Sequence, residues 1–409
     1  MSGPSWGSYQ SPENVSSSKF LWSNIRETNE AVLRLTSLPH RPGAGLYPEV
    51  AVFLPSTASN TRTYNMEFDH LDDDTDDYNG LQFQFGTLGA PVRWFYLEQL
   101  PALDAAALAH IKLAVLLCPI VISDALRSVI QTRLATDNRT LVWSYSAGLL
   151  TSTTSGDFNL SRAAEVSGLP IHGHGSAAPI RTRLLAAPQF PRAPQWTAPL
   201  LASEPLAFRQ WEGVANGGPS GVPDYVTRFM RPNTTSPWYE VREEPGVVVL
   251  GRFASEHSKS NGRVSVAWRD LGDHRAIYSC HSWLPRLAWR AIALAAGVHL
   301  YVDGGGAAPH PVPCQNASLC PQCMRTPTYT CLGFGDVAEA TGPALMVHAG
   351  PTLMRAGDKA RRVHLPCAAT SVRDAFNGSL VCRGCDSFRT RPMEAGEVSL
   401  FAVDIACPK

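Results

Sequence analysis

Three short apolar runs constrain this chain more than anything else in it: "PEVAVFLP" (Pro48–Pro55), Leu113–Leu117 within "IKLAVLLCPIVIS", and "RTLVWSY" ending at Tyr145. A strand with one face in water alternates apolar and polar side chains. These do not, so both of their faces are covered by other parts of the chain, as in a parallel sheet flanked by helices. Between the second and third runs, Ser123 supplies an N-cap and Asp124 a first-turn acid. Leu126, Val129, Ile130 and Leu134 then mark one face of a helix. "APVRWFYLEQL" adds a further strand over Val92–Leu97.

Strand, strand, helix, strand in this pattern predicts a flavodoxin-like α/β domain. Later strands are read in "GVVVLGRF", "GRVSVAW" and "HRAIYSC". They are followed by a helix with Leu284, Leu287, Ala288, Ala291, Ile292 and Ala295 on one face. Gly297 stops it, in the position where a left-handed residue ends a helix, and "VHLYVD" is expected to return as a strand. Residues 170–240, rich in Pro, Ala, Gly and Arg, read as extended loops. Near the start, the first twenty residues are Ser/Pro-rich, and Leu21, Ile25, Val32 and Leu35 recur with helical spacing. At the other end, "ALMVHAG", "ARRVHLP", "TSVRDAFNG" and "EVSLFAVD" are evenly spaced short strands, which predicts a small antiparallel β-sandwich.

Cysteine and sequon placement bears on the compartment. Of ten cysteines, eight follow residue 310: Cys314, Cys320, Cys323, Cys331, Cys367, Cys382, Cys385 and Cys407. Six Asn-x-Ser/Thr sequons, at Asn14, Asn138, Asn159, Asn233, Asn316 and Asn377, stand where thirteen asparagines placed at random would give roughly two. An even late set of cysteines and dense sequons predict a protein of the secretory lumen or exterior, with disulfides and glycans. No leader stands at its N-terminus, so the chain reads as a piece of something longer.

Lys plus Arg (35) balances Asp plus Glu (35), so no basic face calls for nucleic acid. The apolar stretches are about half of what a membrane span needs. Neither nucleic acid nor membrane is expected as a partner.

Each motif with possible chemistry has a plainer reading beside it. "SYSAGLL" places Ser146 where some α/β enzymes hold a nucleophile on a sharp strand-to-helix turn. Such an elbow wants Gly-x-Ser-x-Gly, and here only Gly148 fits, with Ser144 at the other glycine position. His172, His174 and His281 are the histidines available as a base. The scaffold reading of this turn is preferred. The acidic run Asp69, Asp72, Asp73, Asp74, Asp76 and Asp77 fails the calcium-loop pattern, having Asp77 at the glycine position and Phe83 at the final ligand position. Cys320/Cys323 and Cys382/Cys385 have zinc-ligand spacing, but their wide separation and the surrounding cysteines favour disulfides. Glu98 closes a strand without a partner carboxylate for glycoside chemistry. No catalytic, cofactor or metal residue is assigned.

The order of motifs, rather than any one of them, carries a resemblance. "PEVAVFLP", "LGAPVRWFYLEQLP", "IKLAVLLCPIVISDALRSVIQTRL", "TLVWSYSAGLL" and "AAEVSGLPI" resemble the class I glutamine-amidotransferase-like domain of β-galactosidase-type glycoside hydrolases, family 42-like. "LPRLAWRAIALAAGVHLYVD" is similar to the helix and strand closing that domain, and the stretch from "GDVAEATGPALMVHAG" to "MEAGEVSLFAVD" to its C-terminal β-sandwich.

The resemblance implies a trimerisation domain that lacks the amidotransferase nucleophile and follows a catalytic (β/α)8 barrel. With it the chain divides into four parts: a linking segment over 1–44, an α/β domain over 45–303, a Cys-rich insertion over 304–335, and the sandwich over 336–409. The Pro/Gly-rich insertion near 170–240 and the Cys-rich one break the resemblance, and the latter departs from the family's pattern. The barrel and its two glutamates have no counterpart here. The expected role is therefore a non-catalytic, oligomerising part of a carbohydrate-acting hydrolase, in which the barrel, a homo-oligomer and carbohydrate are the partners. Two alternatives stay open: a free-standing α/β hydrolase or amidotransferase-like enzyme, and a Cys-rich extracellular binding module.

Overall fold

The computed structural model describes residues 33, 46–55, 85, 88–117, 119–145, 147–151, 159–177, 182–185, 236–253, 262–280, 284, 286–302, 337–341, 343–348, 360–393 and 398–407. The helical spacing over 21–35, the acidic run, the cysteines of the 304–335 insertion and Ser146 fall outside them, as do Asn14, Asn233 and Asn316.

The apolar runs become strands. β1 (Val50–Leu54), β2 (Val92–Tyr96), β3 (Leu113–Leu117), β4 (Thr140–Ser144) and β10 (Arg275–Ser279) are parallel neighbours in the order β2-β1-β3-β4-β10. Every residue of β1, β3 and β4 is buried, which is why these strands lack alternation. The sheet does not stop there. β9 (Val264–Asp270) pairs antiparallel with β10, followed by β7 (Ser236–Val241) and β5 (Ile171–Ala177), while β8 (Val247–Phe253) and β6 (Thr182–Leu184) branch from β9. The expected parallel sheet is thus half of a mixed ten-stranded one. Likewise, β5, β6 and β7 lie where residues 170–240 were read as loops. "IHGHGSA" has too many glycines to announce a strand locally, and it forms one because β7 offers a ladder.

Helices cover the sheet: α1 (Ala105–Leu108), α2 (Asp124–Arg133), α3 (Leu160–Ser167) and α4 (Arg286–Ala295). Ser123 caps α2 as its sequence predicts, its hydroxyl accepting from the Leu126 amide at 3.2 Å, and Leu126, Ile130 and Leu134 are buried. Asn159 caps α3 through the Arg162 amide at 3.2 Å. Trp289 on α4 packs against Phe85 with ring centres 4.7 Å apart.

A separate antiparallel sheet follows, in the order β11-β12-β15-β13-β14, from β11 (Val337–Thr341), β12 (Ala344–His348), β13 (Ala360–Asp374), β14 (Leu380–Pro392) and β15 (Val398–Asp404). "ARRVHLP" and "TSVRDAFNG" were read as two strands. β13 runs through both, because a bulge absorbs the break: four residues of β13 lie between the His364 and Ala369 pairings, against one residue of β14. Cys367 sits in that bulge and is bonded to Cys407, with Cα atoms 5.5 Å apart. Cys382 and Cys385 are bonded along β14.

"VHLYVD" is not a ladder strand. It contributes only a bridge from Val302 to Val363, because its backbone is shared between two units. The Tyr301 amide donates to Gly89 O at 2.7 Å on the α/β side, and Tyr301 O accepts from the His364 amide at 2.8 Å on the other. Leu46, Tyr301 and Val302 fill the apolar face of the second sheet beside Leu345, Val347, Val363 and Phe401.

Candidate functional site

The carboxyl ends of parallel strands are where α/β sheets place chemistry, and the turn after β4 is the one position where this sequence suggests a nucleophile. The strained residue there is Tyr145, with φ +62°, followed by Gly148 at φ +66°. A bulky residue in the left-handed region is an outlier held in place by its surroundings. The surroundings are specific. The Tyr145 amide donates to Ser279 O at 2.6 Å, and its carbonyl accepts from the Tyr278 hydroxyl at 2.6 Å. Its ring is buried edge-on against Tyr239, centroids 5.5 Å apart. The Gly148 amide closes the turn onto Pro119 O at 2.7 Å.

Next to the turn lies a buried stripe of small polar side chains: Ser144, Ser279, Ser265, Thr182 and Cys280. Thr182 donates to the Ser265 hydroxyl at 2.8 Å, and its oxygen lies 3.8 Å from the Cys280 sulfur. Thr182 thus links Ser265 and Cys280 in the interior of the sheet. Of the three histidines named as possible bases, His281 and the His174 side chain lie outside the described residues. His172 sits on β5, with β10, β9 and β7 between it and β4. At about 4.8 Å per strand that is roughly 19 Å from the turn. It faces Glu240 across the ladder, Nε2 to Oε1 3.6 Å, and the same carboxylate oxygen accepts from Arg263 at 2.7 Å. Glu98 is exposed on a 3-10 turn, Leu97–Ala102, beyond β2.

A second polar cluster joins the two sheets. Glu49 Oε2 accepts from the His299 amide at 2.6 Å, while Lys112 reaches Glu49 Oε1 at 2.5 Å and Gly297 O at 3.0 Å. The His299 ring bonds His364 O at 2.9 Å and lies edge-on to Tyr301. Burial holds the His299 imidazole below its ordinary pKa, against the opposing pull of its bond to His364 O and of Glu49. Burial, aided by Glu49, pushes the Tyr301 phenol up. Both effects keep the groups neutral, which suits a packed joint better than an acid–base site.

Among the described residues no group of three or more His, Cys, Asp or Glu side chains is placed to hold a metal, and no helix is long and apolar enough to cross a membrane. Asn138, Asn159 and Asn377 are exposed.

No family model matches the sequence, and no curated protein matches it. Solved structures do. The chain resembles part of a GH42 β-galactosidase. It is similar to the enzyme from G. stearothermophilus at 11% identity, covering 93% of this chain and 44% of that one, with a TM-score of 0.49. The β-galactosidases of Bacillus circulans sp. alkalophilus (10% identity, 91% and 44%, TM-score 0.45) and the psychrophilic Marinomonas ef1 (12%, 96% and 43%, TM-score 0.44) are similar in the same partial way. The chain spans less than half the length of each of these structures.

Sequence reasoning singled out Ser146 and missed Tyr145. The elbow motif is written around the nucleophile, whereas Tyr145, the residue after the last ladder pair of Ser144 with Ser279, takes a positive φ that no motif marks.

Proposed function

We propose that this chain is the non-catalytic, oligomerising part of a β-galactosidase-type glycoside hydrolase, built on a flavodoxin-like, glutamine-amidotransferase-like domain and working in the secretory lumen or outside the cell. A (β/α)8 barrel supplies the glutamate pair, and the α/β domain walls its site and buries surface between subunits, as a trimer by resemblance.

The observation that carries this reading is the turn leaving β4, where Tyr145 is buried at a positive φ and its carbonyl accepts from the Tyr278 hydroxyl. The strand order β2-β1-β3-β4-β10 supports the flavodoxin-like part. The order of the motifs supports the carbohydrate part.

The test is turnover and labelling. The purified chain is expected to leave nitrophenyl galactosides intact and to take up no fluorophosphonate probe. Turnover that survives purification and disappears when one glutamate is replaced would overturn the reading. So would labelling that is lost in Ser146→Ala.

A further inference from the structure

β14 is one of the two outer strands of the second sheet among the described residues, with β11 at the other edge, and is thirteen residues long. An outer strand presents unpaired backbone groups and invites pairing with another chain unless charge, proline or cover blunts it. From Arg383 onward β14 has such residues, with Arg383, Asp386, Arg389, Arg391 and Pro392 all exposed. Its start does not. Leu380 is 44% exposed, one of three large apolar side chains so placed among the described residues, and Val381 and Cys382 follow without a charge.

The turn just before Leu380 contains Asn377-Gly378-Ser379. Asp374 Oδ1 accepts from the Phe376 and Asn377 amides at 2.8 and 3.2 Å, and Asn377 Oδ1 accepts from the Ser379 amide at 2.8 Å. The Asn377 oxygen is therefore spent on the turn, and its exposed side chain has Nδ2 left over. Ser379 is exposed too, and a Cβ added at Gly378 would meet nothing within 4 Å. At Asn138, by contrast, the sequon hydroxyl belongs to Thr140, buried at the start of β4.

We propose that Asn377 carries an N-linked glycan, and that this glycan covers the apolar start of β14 at Leu380. The inference rests on the secretory reading above. Transfer from a polyprenyl-pyrophosphate-linked oligosaccharide forms a bond between Nδ2 and the anomeric carbon of the first sugar. One N–H proton leaves to a base of the transferase, and the C–O bond to the pyrophosphate breaks as the lipid pyrophosphate departs. Oδ1 stays a carbonyl acceptor, so the turn's bond to the Ser379 amide survives the modification.

The full chain, expressed behind a cleavable leader in animal secretory cells, tests both halves. Peptide mapping after glycosidase treatment is expected to find Asn377 modified. Asn377→Gln and Ser379→Ala are each expected to lose one glycan, the second while keeping the Asn377 bond to the backbone of residue 379. Both variants should scatter more light over time than the parent, and Leu380→Lys added to either should restore the parent's behaviour. An unmodified Asn377 alongside glycans at other sequons would overturn this proposal alone. Absence of glycan everywhere, with reduced late cysteines, would overturn the secretory reading with it. A glycan at Asn377 whose loss leaves scattering unchanged would overturn its covering role.

Discussion

At Tyr145, two hydrogen bonds and a ring contact hold a backbone conformation that a tyrosine disfavours by about 1–3 kcal/mol. The cost is tolerated because breaking those bonds would leave buried backbone groups unpaired. Tyr278→Phe removes the donor to Tyr145 O and is expected to destabilise by about 1–3 kcal/mol. Gly148→Val is expected to cost a similar amount: it forces a β-branched residue to φ +66° and sets its Cβ 3.2 Å from Ile122. Denaturant melts of both variants check this. A scaffold turn predicts lower midpoints, and a midpoint unchanged in both would remove the grounds for calling the turn strained.

The elements of the second sheet are held by crosslinks of unequal weight. Cys367–Cys407 closes a separation of 40 residues and ties the β13 bulge to the chain leaving β15. Its loss in Cys367→Ser is expected to cost up to about 4 kcal/mol, from the loop-closure entropy of the unfolded chain. Cys382–Cys385 spans three residues within one strand, and Cys382→Ser should cost markedly less by the same argument. Non-reducing peptide mapping of protein from a secretory host is expected to recover both pairs. Free thiols with stoichiometric zinc would favour the metal reading of the Cys-x-x-Cys spacing instead.

For the whole molecule, one histidine at the joint between the sheets and one in the turn between β9 and β10 set a pH dependence. His299 and His274 are both held below their ordinary value, first by burial. The folded protein therefore binds fewer protons than the unfolded chain just below pH 6.5, the ordinary histidine value. Stability is full above that value and is lost as pH falls through the window beneath it. Among the described residues the groups acting on His299 are Glu49, Lys112, Tyr301 and His364, the last through both its carbonyl and its imidazole charge. The Glu243–Arg252 pair, whose hydrogen bond holds the Glu243 carboxyl below its ordinary value, acts only at lower pH and is mostly exposed. Melting temperatures taken from pH 7.5 to 5.5 are expected to fall. His299→Gln, which keeps a donor for His364 O but cannot titrate, should flatten the fall. A slope identical in the variant would show that His299 does not contribute.

What the sequence determined by itself is local and periodic. β1, β3, β4, the Ser123 cap and the stop at Gly297 were legible because burial on both faces, capping and a left-handed end leave marks on the residues concerned. Tertiary structure alone decided the rest. "IHGHGSA" is a strand only beside β7, and "VHLYVD" fails to be one because the Tyr301 N–H goes to Gly89 and its carbonyl to His364, on different units. Cys367 finds Cys407 only once β13 bulges. Tyr145 takes a left-handed conformation where β4 ends, after its last pairing, of Ser144 with Ser279 on a strand more than a hundred residues away. Periodicity records what each residue faces, whereas register across distant strands records which residue meets which, and no local pattern encodes that.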